Sequence, residues 1–114
     1  MIPPPFKYRF EGDSGVDIAT QKIDAVFPDG ERRRVVLRLG APFIRDNVFG
    51  IRSELENLDR TDGPLAGSES FDALINGIAW IHGRLRVFAE KHRCTYYWPD
   101  SNDIFDYSDY FNLT

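Results

Sequence analysis

The hydrophobic positions between residues 68 and 92 recur with the period of an α-helix. Apolar side chains follow one another at intervals of three or four residues, which places them along one face of a helix. Ser68 or Ser70 is suited to cap the start, and Lys91 and His92 suit the negative end of the helix dipole. The pattern therefore predicts one long helix with a buried stripe of Phe71, Leu74, Ile75, Ile78, Ile81, Leu85 and Phe88.

An alternating pattern before this helix predicts a β-hairpin. Apolar and polar residues alternate from Ile18 to Phe27 and again from Glu31 to Leu39. Between them lies Pro28-Asp29-Gly30, which has the composition of a tight turn. One face of the hairpin is then apolar and the other is charged. The expected pairs across the two strands are Ala19 with Leu39, Ile23 with Val35 and Asp24 with Arg34.

Two further segments have the pattern of strands. The first is Val48–Leu55, which follows a break at residues 40–43, and the second is Thr95–Trp98, which Pro99 ends. The polar segment Asp59–Gly67 is expected to be a loop that leads to the helix. The order is β-β-β-α-β, so we predict an α+β fold. Its antiparallel meander sheet has three to four strands, with one long helix packed across one face.

Composition divides the chain into three parts. Residues 1–16 are expected to be an N-terminal extension, because Pro3-Pro4-Pro5 blocks a helix and Glu11–Gly15 is rich in turn-forming residues. The alternation from Phe6 to Phe10 leaves open a short edge strand there, paired with this or another subunit. Residues 17–99 are expected to form a single α+β domain, and the acidic and aromatic tail of residues 100–114 is expected to dock on it.

The net charge of −4 lies entirely in the tail. The 114 residues contain 14 basic and 18 acidic side chains, and four of the acidic ones are Asp100, Asp103, Asp106 and Asp109. Residues 1–99 therefore carry 14 charges of each sign. A neutral body with an acidic tail argues against nucleic acid as a partner, because phosphate binding needs a basic surface.

Neither a membrane span nor a secretory signal is expected. No apolar run reaches the roughly 18 residues that a transmembrane helix requires. The first ten residues have no apolar signal core. Cys94 is the only cysteine, so it cannot form an internal disulfide, and a reducing cytoplasm is the simplest compartment.

The residues that could carry chemistry do not form a known constellation. His82 and His92 lie ten positions apart on one helix, roughly 15 Å along its axis, so they cannot share a metal ion. Packing is the expected role of Cys94, and no nucleophile, phosphate-loop or zinc motif is present. The tail does not continue the EF-hand spacing, because Ile104 and Phe105 replace its later ligand positions. We expect no catalytic residue, metal or cofactor, although a pocket beside the 59–67 loop would leave an enzyme as an alternative.

Two charged or apolar surfaces have more than one interpretation. Arg32 and Arg34 point to one side of a strand and Arg33 to the other, which favours a solvated face paired with acids over an anion or partner site.

Trp80, Arg84 and Val87 form a flank of the helix that either the sheet or a second subunit covers. The nearby Gly77 and Gly83 fit close approach of another backbone, so a homodimer is left open.

Motifs in the hairpin and at the start of the helix resemble those of a known family. Phe27–Pro42 reads F-P-D-G-x-R-R-x-V-x-L-R-x-G-x-P, and Glu69–Leu74 reads E-S-x-x-A-L. Ile18-Ala19-Thr20 and Tyr97-Trp98 extend the similarity to residues 17–99. The chain resembles a family of small bacterial proteins described only as a domain of unknown function. The resemblance implies a bacterial cytoplasmic α+β domain, and it implies no activity.

These observations favour a non-catalytic protein-binding domain of the accessory or immunity type. Acidic side chains would steer a basic partner protein, and the interleaved rings would provide rigid contact area. The alternatives are an enzyme or small-ligand domain at the 59–67 loop and a self-associating structural module. The predicted partner-binding residues are Asp100, Asp103, Phe105, Asp106, Tyr107, Asp109 and Tyr110.

Overall fold

A computed structural model describes residues 10–59 and 63–111. The edge strand expected at residues 6–10 lies almost wholly outside these ranges. The described elements, in chain order, are β1 Asp17–Val26, β2 Arg32–Gly40, β3 Phe43–Arg45, β4 Val48–Ile51, β5 Ser53–Glu56, β6 Leu65–Gly67, α1 Ser70–His92, β7 Thr95–Tyr97 and α2 Tyr107–Tyr110.

The described strands form two antiparallel sheets. One has four strands in the order β5-β2-β1-β7, and the other has three in the order β3-β4-β6. The long helix α1 packs on both sheets. The predicted α+β class, with antiparallel sheets of three to four strands and one long helix packed on them, is confirmed.

The β1–β2 hairpin has the predicted register. Ala19 pairs with Leu39, Ile23 with Val35 and Asp24 with Arg34. Gly30 has φ +91°, and the Asp29 carboxylate accepts the Glu31 N–H at 2.8 Å, so the turn uses the residues that its composition indicated. The inner face is buried and contributes to the core Ile23, Ala25, Val35, Leu37 and Leu39.

The single strand predicted at Val48–Leu55 is wrong in its extent, because the chain changes sheets at Arg52. β4 belongs to the three-stranded sheet and β5 to the four-stranded sheet. Two short strands were also missed. β3 is joined to β4 by Asp46 and Asn47, both with positive φ (53° and 64°), as a two-residue hairpin turn requires. β6 lies in the segment predicted to be a loop.

Helix α1 is continuous through Gly77 and Gly83, as predicted. Ile81 and Leu85 of the predicted stripe are buried, and Leu74, Ile78 and Phe88 pack against the core, but the first two turns depart from the prediction. Phe71 is 74% exposed and Ile75 is 55% exposed. In this part of the helix Ala73 and Gly77 are buried in their place. A Cβ atom on Gly77 would lie 2.8 Å from Ser53 Oγ, so this glycine allows the helix to approach the strands closely.

Lys91 and His92 lie in the last turn of α1, as predicted, but the cap at its start differs from the prediction. Glu69 is the N-cap residue, and its side chain makes no capping hydrogen bond. Ser68 is hydrogen-bonded through its hydroxyl to the Asp72 carboxylate rather than to the helix backbone. At the other end Arg93 adopts the left-handed conformation, with φ 54°, and the chain turns into β7.

Candidate interaction surface

The segment after β7 folds back along the edge of the four-stranded sheet. The Trp98 N–H donates to the Asp103 carbonyl at 2.9 Å, and the Phe105 N–H donates to the Tyr96 carbonyl at the same distance. Pro99 ends β7 because its ring cannot continue the strand pairing. Asp106 then caps the short helix α2 by accepting two backbone N–H groups. The described part of the tail is therefore tied to the body by backbone hydrogen bonds.

Aromatic contacts hold this segment from beneath. The ring of Phe105 is 1% exposed and lies 4.9 Å from Trp98 and 4.8 Å from Tyr110, measured between ring centroids. Tyr107 is half-buried, with its ring 5.7 Å from Tyr96 and 5.9 Å from His82. Phe105 belongs to the core, so its ring is not available at the surface.

The outer side of the segment is acidic and carries exposed apolar groups. Asp103, Asp106 and Asp109 are exposed, and none of them forms an ion pair with a residue that the structure describes. Apolar surface lies among them, since Ile104 is 63% exposed and Tyr110 is also exposed. We call this patch the acidic surface; its residues are Trp98, Asp103, Ile104, Asp106, Asp109 and Tyr110.

Two residues of the acidic surface were missed in the sequence. The sequence predicts a strand that includes Trp98, but Trp98 lies just beyond the end of β7 and is partly exposed. In the sequence Ile104 stands out only because it breaks the spacing of a calcium-binding loop. The available signal is the pair of adjacent apolar residues Ile104 and Phe105 between Asp103 and Asp106. Neighbouring side chains of an extended segment point to opposite sides, so one of the two apolar residues has to face outward.

Asp100 differs from the other tail aspartates because it is paired. Its carboxylate lies 2.8 Å from Arg34 Nη2, and its backbone N–H donates to Asp24 at 2.9 Å. Asp24 also binds Arg32 Nε at 2.9 Å and Arg34 Nε at 2.6 Å. The predicted pairing of the arginines with acids across the strands is thus confirmed. Arg33 points to the other side, with its guanidinium 4.8 Å from the Phe27 ring.

The carboxylate of Asp24 is almost fully covered by this cluster. Burial alone would raise the pKa of Asp24, but hydrogen bonds from Arg34, from the Asp100 backbone and from Arg32 outweigh burial and lower the pKa. Asp24 is therefore ionised wherever the protein is folded near neutral pH. The arginines of this face are largely neutralised by their own acids, and so they do not form a free anion site.

The residues considered for chemistry are occupied in packing. The His82 ring contacts the rings of Tyr107 and Phe111, at 5.9 Å and 5.8 Å between ring centroids. Burial raises the pKa of the Cys94 thiol, which disfavours the thiolate that a nucleophile would need. Within residues 10–59 and 63–111, no group of three His, Cys, Asp or Glu side chains has the arrangement of a metal site.

The flank of Trp80, Arg84 and Val87 is covered partly by the chain itself. Trp80 packs against the core, and Arg84 is hydrogen-bonded to the Asp59 carboxylate. Val87 is exposed. Close approach explains Gly77 but not Gly83, where a Cβ atom would meet nothing within 4 Å. Of the loop expected to border a pocket, residues 60–62 lie outside the described part of the chain.

Among the described helices, none is both long and apolar enough to cross a membrane. Comparisons with protein-family models, with curated proteins and with solved structures found no match to this chain.

Proposed function

We propose that this chain is a non-catalytic protein-binding domain that uses the acidic surface to bind a basic partner. The single observation that carries the proposal is the contrast in pairing within the described structure. Arginines neutralise Asp24, Asp100 and the carboxylates around Arg52, whereas Asp103, Asp106 and Asp109 form no ion pair with any residue that the structure describes. Unpaired carboxylates grouped in one place create a local negative potential that attracts a cationic protein.

The apolar groups of the acidic surface support the same interpretation. Ile104 and Tyr110 expose apolar area beside the carboxylates, while Phe105 beneath them holds both the backbone and the Tyr110 ring in place. A contact surface that is already rigid loses little conformational entropy on binding. We place this binding in the bacterial cytoplasm, in an accessory or immunity-type role, in line with the family resemblance and with an unpaired, buried Cys94.

The proposal can be tested with a small cationic probe. The probe is an acetylated and amidated nine-residue peptide in which lysine and valine alternate, titrated into the full chain at low salt by calorimetry. The Asp103→Asn/Asp109→Asn double variant should bind the peptide about fivefold more weakly, because two attractive charges are removed. The affinity of the unaltered protein should also fall as salt is added.

A matched control separates local from overall charge. The Asp29→Asn/Asp46→Asn variant changes the net charge by the same amount at two exposed turns far from the acidic surface in sequence. Asparagine is suited to both positions, since Asp29 caps its own turn and Asp46 has positive φ. This control should bind like the unaltered protein. Equal loss in both variants, or no binding by the unaltered protein, would contradict the proposal.

A second candidate, self-association, has one specific observation in its favour. Phe71 and Ile75 are both mostly exposed and lie one turn apart on α1. Large apolar side chains placed together on a surface are typical of interfaces. Light scattering on the full chain at increasing concentration tests this function. A mass of two chains that returns to one chain in the Phe71→Ser/Ile75→Ser variant would support it, and one chain throughout would exclude it.

A further inference from the structure

The four-stranded sheet has an incomplete edge beside the acidic surface. β1 pairs with β2 from Asp17 to Val26, but β7 pairs with β1 only at Asp24, Ala25 and Val26. Pro99 stops β7 at this point. The other edge of residues 18–22 of β1 therefore faces no strand in the described structure. We call this stretch the open β1 edge.

The hairpin register determines which backbone groups point out from the open β1 edge. The Phe27 N–H donates to the Glu31 carbonyl at 2.9 Å, so the odd-numbered residues of β1 bond to β2. The N–H and C=O groups of Thr20 and Lys22 consequently point away from β2. Gln21 Nε2 donates to the Lys22 carbonyl at 2.7 Å, which shows that this carbonyl faces the edge. No described residue bonds to the Thr20 N–H, the Thr20 C=O or the Lys22 N–H.

The acidic surface adjoins the helix-facing side of this edge. Tyr110 Oη lies 3.4 Å from Gln21 Oε1, and Gln21 belongs to the strand face that looks toward the helices. Asp106 is within one turn of Tyr110, whose N–H donates to the Asp106 carbonyl at 2.9 Å. On the opposite strand face the open β1 edge carries Lys22, which has no ion-pair partner among the described residues.

We propose that the open β1 edge accepts an extended segment of a basic partner protein as an additional antiparallel strand. Its backbone bonds to Thr20 and Lys22, and its basic side chains lie on the helix side, beside Asp106 and Asp109. On the other face, Lys22 disfavours a basic side chain of the partner. The partner's apolar side chains therefore lie on that face, beside Thr20 and Ile18, of which Ile18 is about half exposed. Strand addition gains affinity from main-chain hydrogen bonds and specificity from alternate side chains. This inference rests on the proposed function and adds the mode of binding.

The proposed register makes a test with two matched peptides. In an antiparallel pair, two residues that bond to each other have their side chains on the same face of the sheet. The probe residues that bond to Thr20 and Lys22 are therefore on the face proposed for apolar side chains, and they are the valines of the alternating lysine–valine probe. N-methylation of the valine nitrogens should weaken binding about tenfold or more, because it removes the donors that face β1. N-methylation of the lysine nitrogens, which face away from the sheet, should leave the affinity within about twofold. Each peptide carries four N-methyl groups, so both have the same charge and composition.

The outcomes distinguish the two proposals. Equal affinity of the two methylated peptides, or greater loss on lysine methylation, would overturn strand addition while the acidic surface still bound the unmodified peptide. No binding of the unmodified peptide would be a failure of the proposed function itself.

A pair of protein variants gives an independent check. Thr20→Pro removes an N–H that no described group uses, whereas Thr20→Val keeps it; only the proline variant should lose the unmodified peptide. Circular dichroism verifies that each variant is folded. Should the proline variant not fold, hydrogen exchange on the unaltered protein replaces it. Slower exchange of the Thr20 and Lys22 amides on adding peptide supports the proposal, and unchanged exchange at saturation contradicts it.

Discussion

The carboxylates around Arg52 and those of the acidic surface differ both in burial and in pairing. Arg52 is 4% exposed and binds Asp13 at 2.9 Å, Asp17 at 2.8 Å and Glu54 at 2.7 Å. Asp103 and Asp109, by contrast, are exposed and have no described cationic neighbour. The same functional group thus fixes the fold in one region and is left available to solvent in the other. Their positions in the structure, rather than their residue type, separate the two roles.

The Arg52 cluster has a structural role because of where it lies. Arg52 occupies the position between β4 and β5 at which the chain changes sheets, and Asp13 joins it from the N-terminal segment. Burial alone would lower the pKa of Arg52, but its hydrogen bond to the Glu54 carboxylate, its ion pair with Asp17 and its hydrogen bond to Asp13 outweigh burial and raise the pKa. The guanidinium therefore remains charged, and its removal leaves several carboxylates close together without a cation.

The largest expected effect is the loss of this cation. Arg52→Met should lower the free energy of unfolding by about 3–5 kcal/mol, because it leaves the buried Asp13 carboxylate unpaired. Urea unfolding at neutral pH measures the change. A loss below roughly 1 kcal/mol would show that the cluster is not structural.

Asp24 provides an intermediate case, because it is buried by arginines that are themselves partly exposed. Asp24→Asn should cost about 1–3 kcal/mol at neutral pH, since charge-assisted hydrogen bonds from Arg32 and Arg34 are lost. The pKa of Asp24 is lowered in the folded state, so its contribution is complete above the unfolded pKa of about 4 and is lost as the pH falls through the folded value.

The pH dependence offers a check on this assignment. The stability difference between the unaltered protein and Asp24→Asn should be constant above about pH 4 and should narrow below it. Urea unfolding at a series of pH values measures the difference. A gap that instead narrowed on raising the pH from 4 to 8 would contradict the assignment.

Two helix glycines allow a smaller, matched test of the packing. Gly77→Ala should destabilise the protein by about 1–2 kcal/mol, because the new methyl group meets Ser53, Ile51 and Leu39 at 2.8–2.9 Å. Gly83→Ala should stabilise it by about 0.5–1 kcal/mol, since nothing lies within 4 Å of the new atom. Thermal unfolding of both variants gives the comparison. The same sign for both would show that α1 does not approach the sheets as described.

The elements that depend on neighbouring residues were predictable from the sequence. The hairpin register follows from Pro28-Asp29-Gly30 and the alternation around it, and the extent of α1 follows from its periodicity. The buried face of α1 was predicted from the largest apolar side chains. Ile81 and Leu85 are buried as predicted, but the first half of the helix buries Ala73 and Gly77 in place of Phe71 and Ile75, because small residues allow a closer approach. That choice depends on the opposing strands, which the helix sequence does not describe.

Features that depend on distant residues were not predictable in the same way. The sheet change at Arg52 depends on Asp13, 39 positions away in the chain. The sequence also could not show which aromatic rings of the tail are buried. Phe105 and Tyr110 have similar sequence surroundings, yet only Phe105 is buried in the core. The acidic character of the tail was visible from composition, whereas the apolar groups that accompany it needed the fold.

The difference between the carboxylates around Arg52 and those of the acidic surface is tested most directly by the stability of the Asp103→Asn/Asp109→Asn variant. Urea unfolding at low salt, beside the unaltered protein, measures it. If these carboxylates are available for binding and do not support the fold, the free energy of unfolding should be unchanged within about 0.5 kcal/mol, or slightly higher as mutual repulsion is relieved. A loss of more than about 1 kcal/mol would show that the two aspartates hold the segment on the body and would contradict the account.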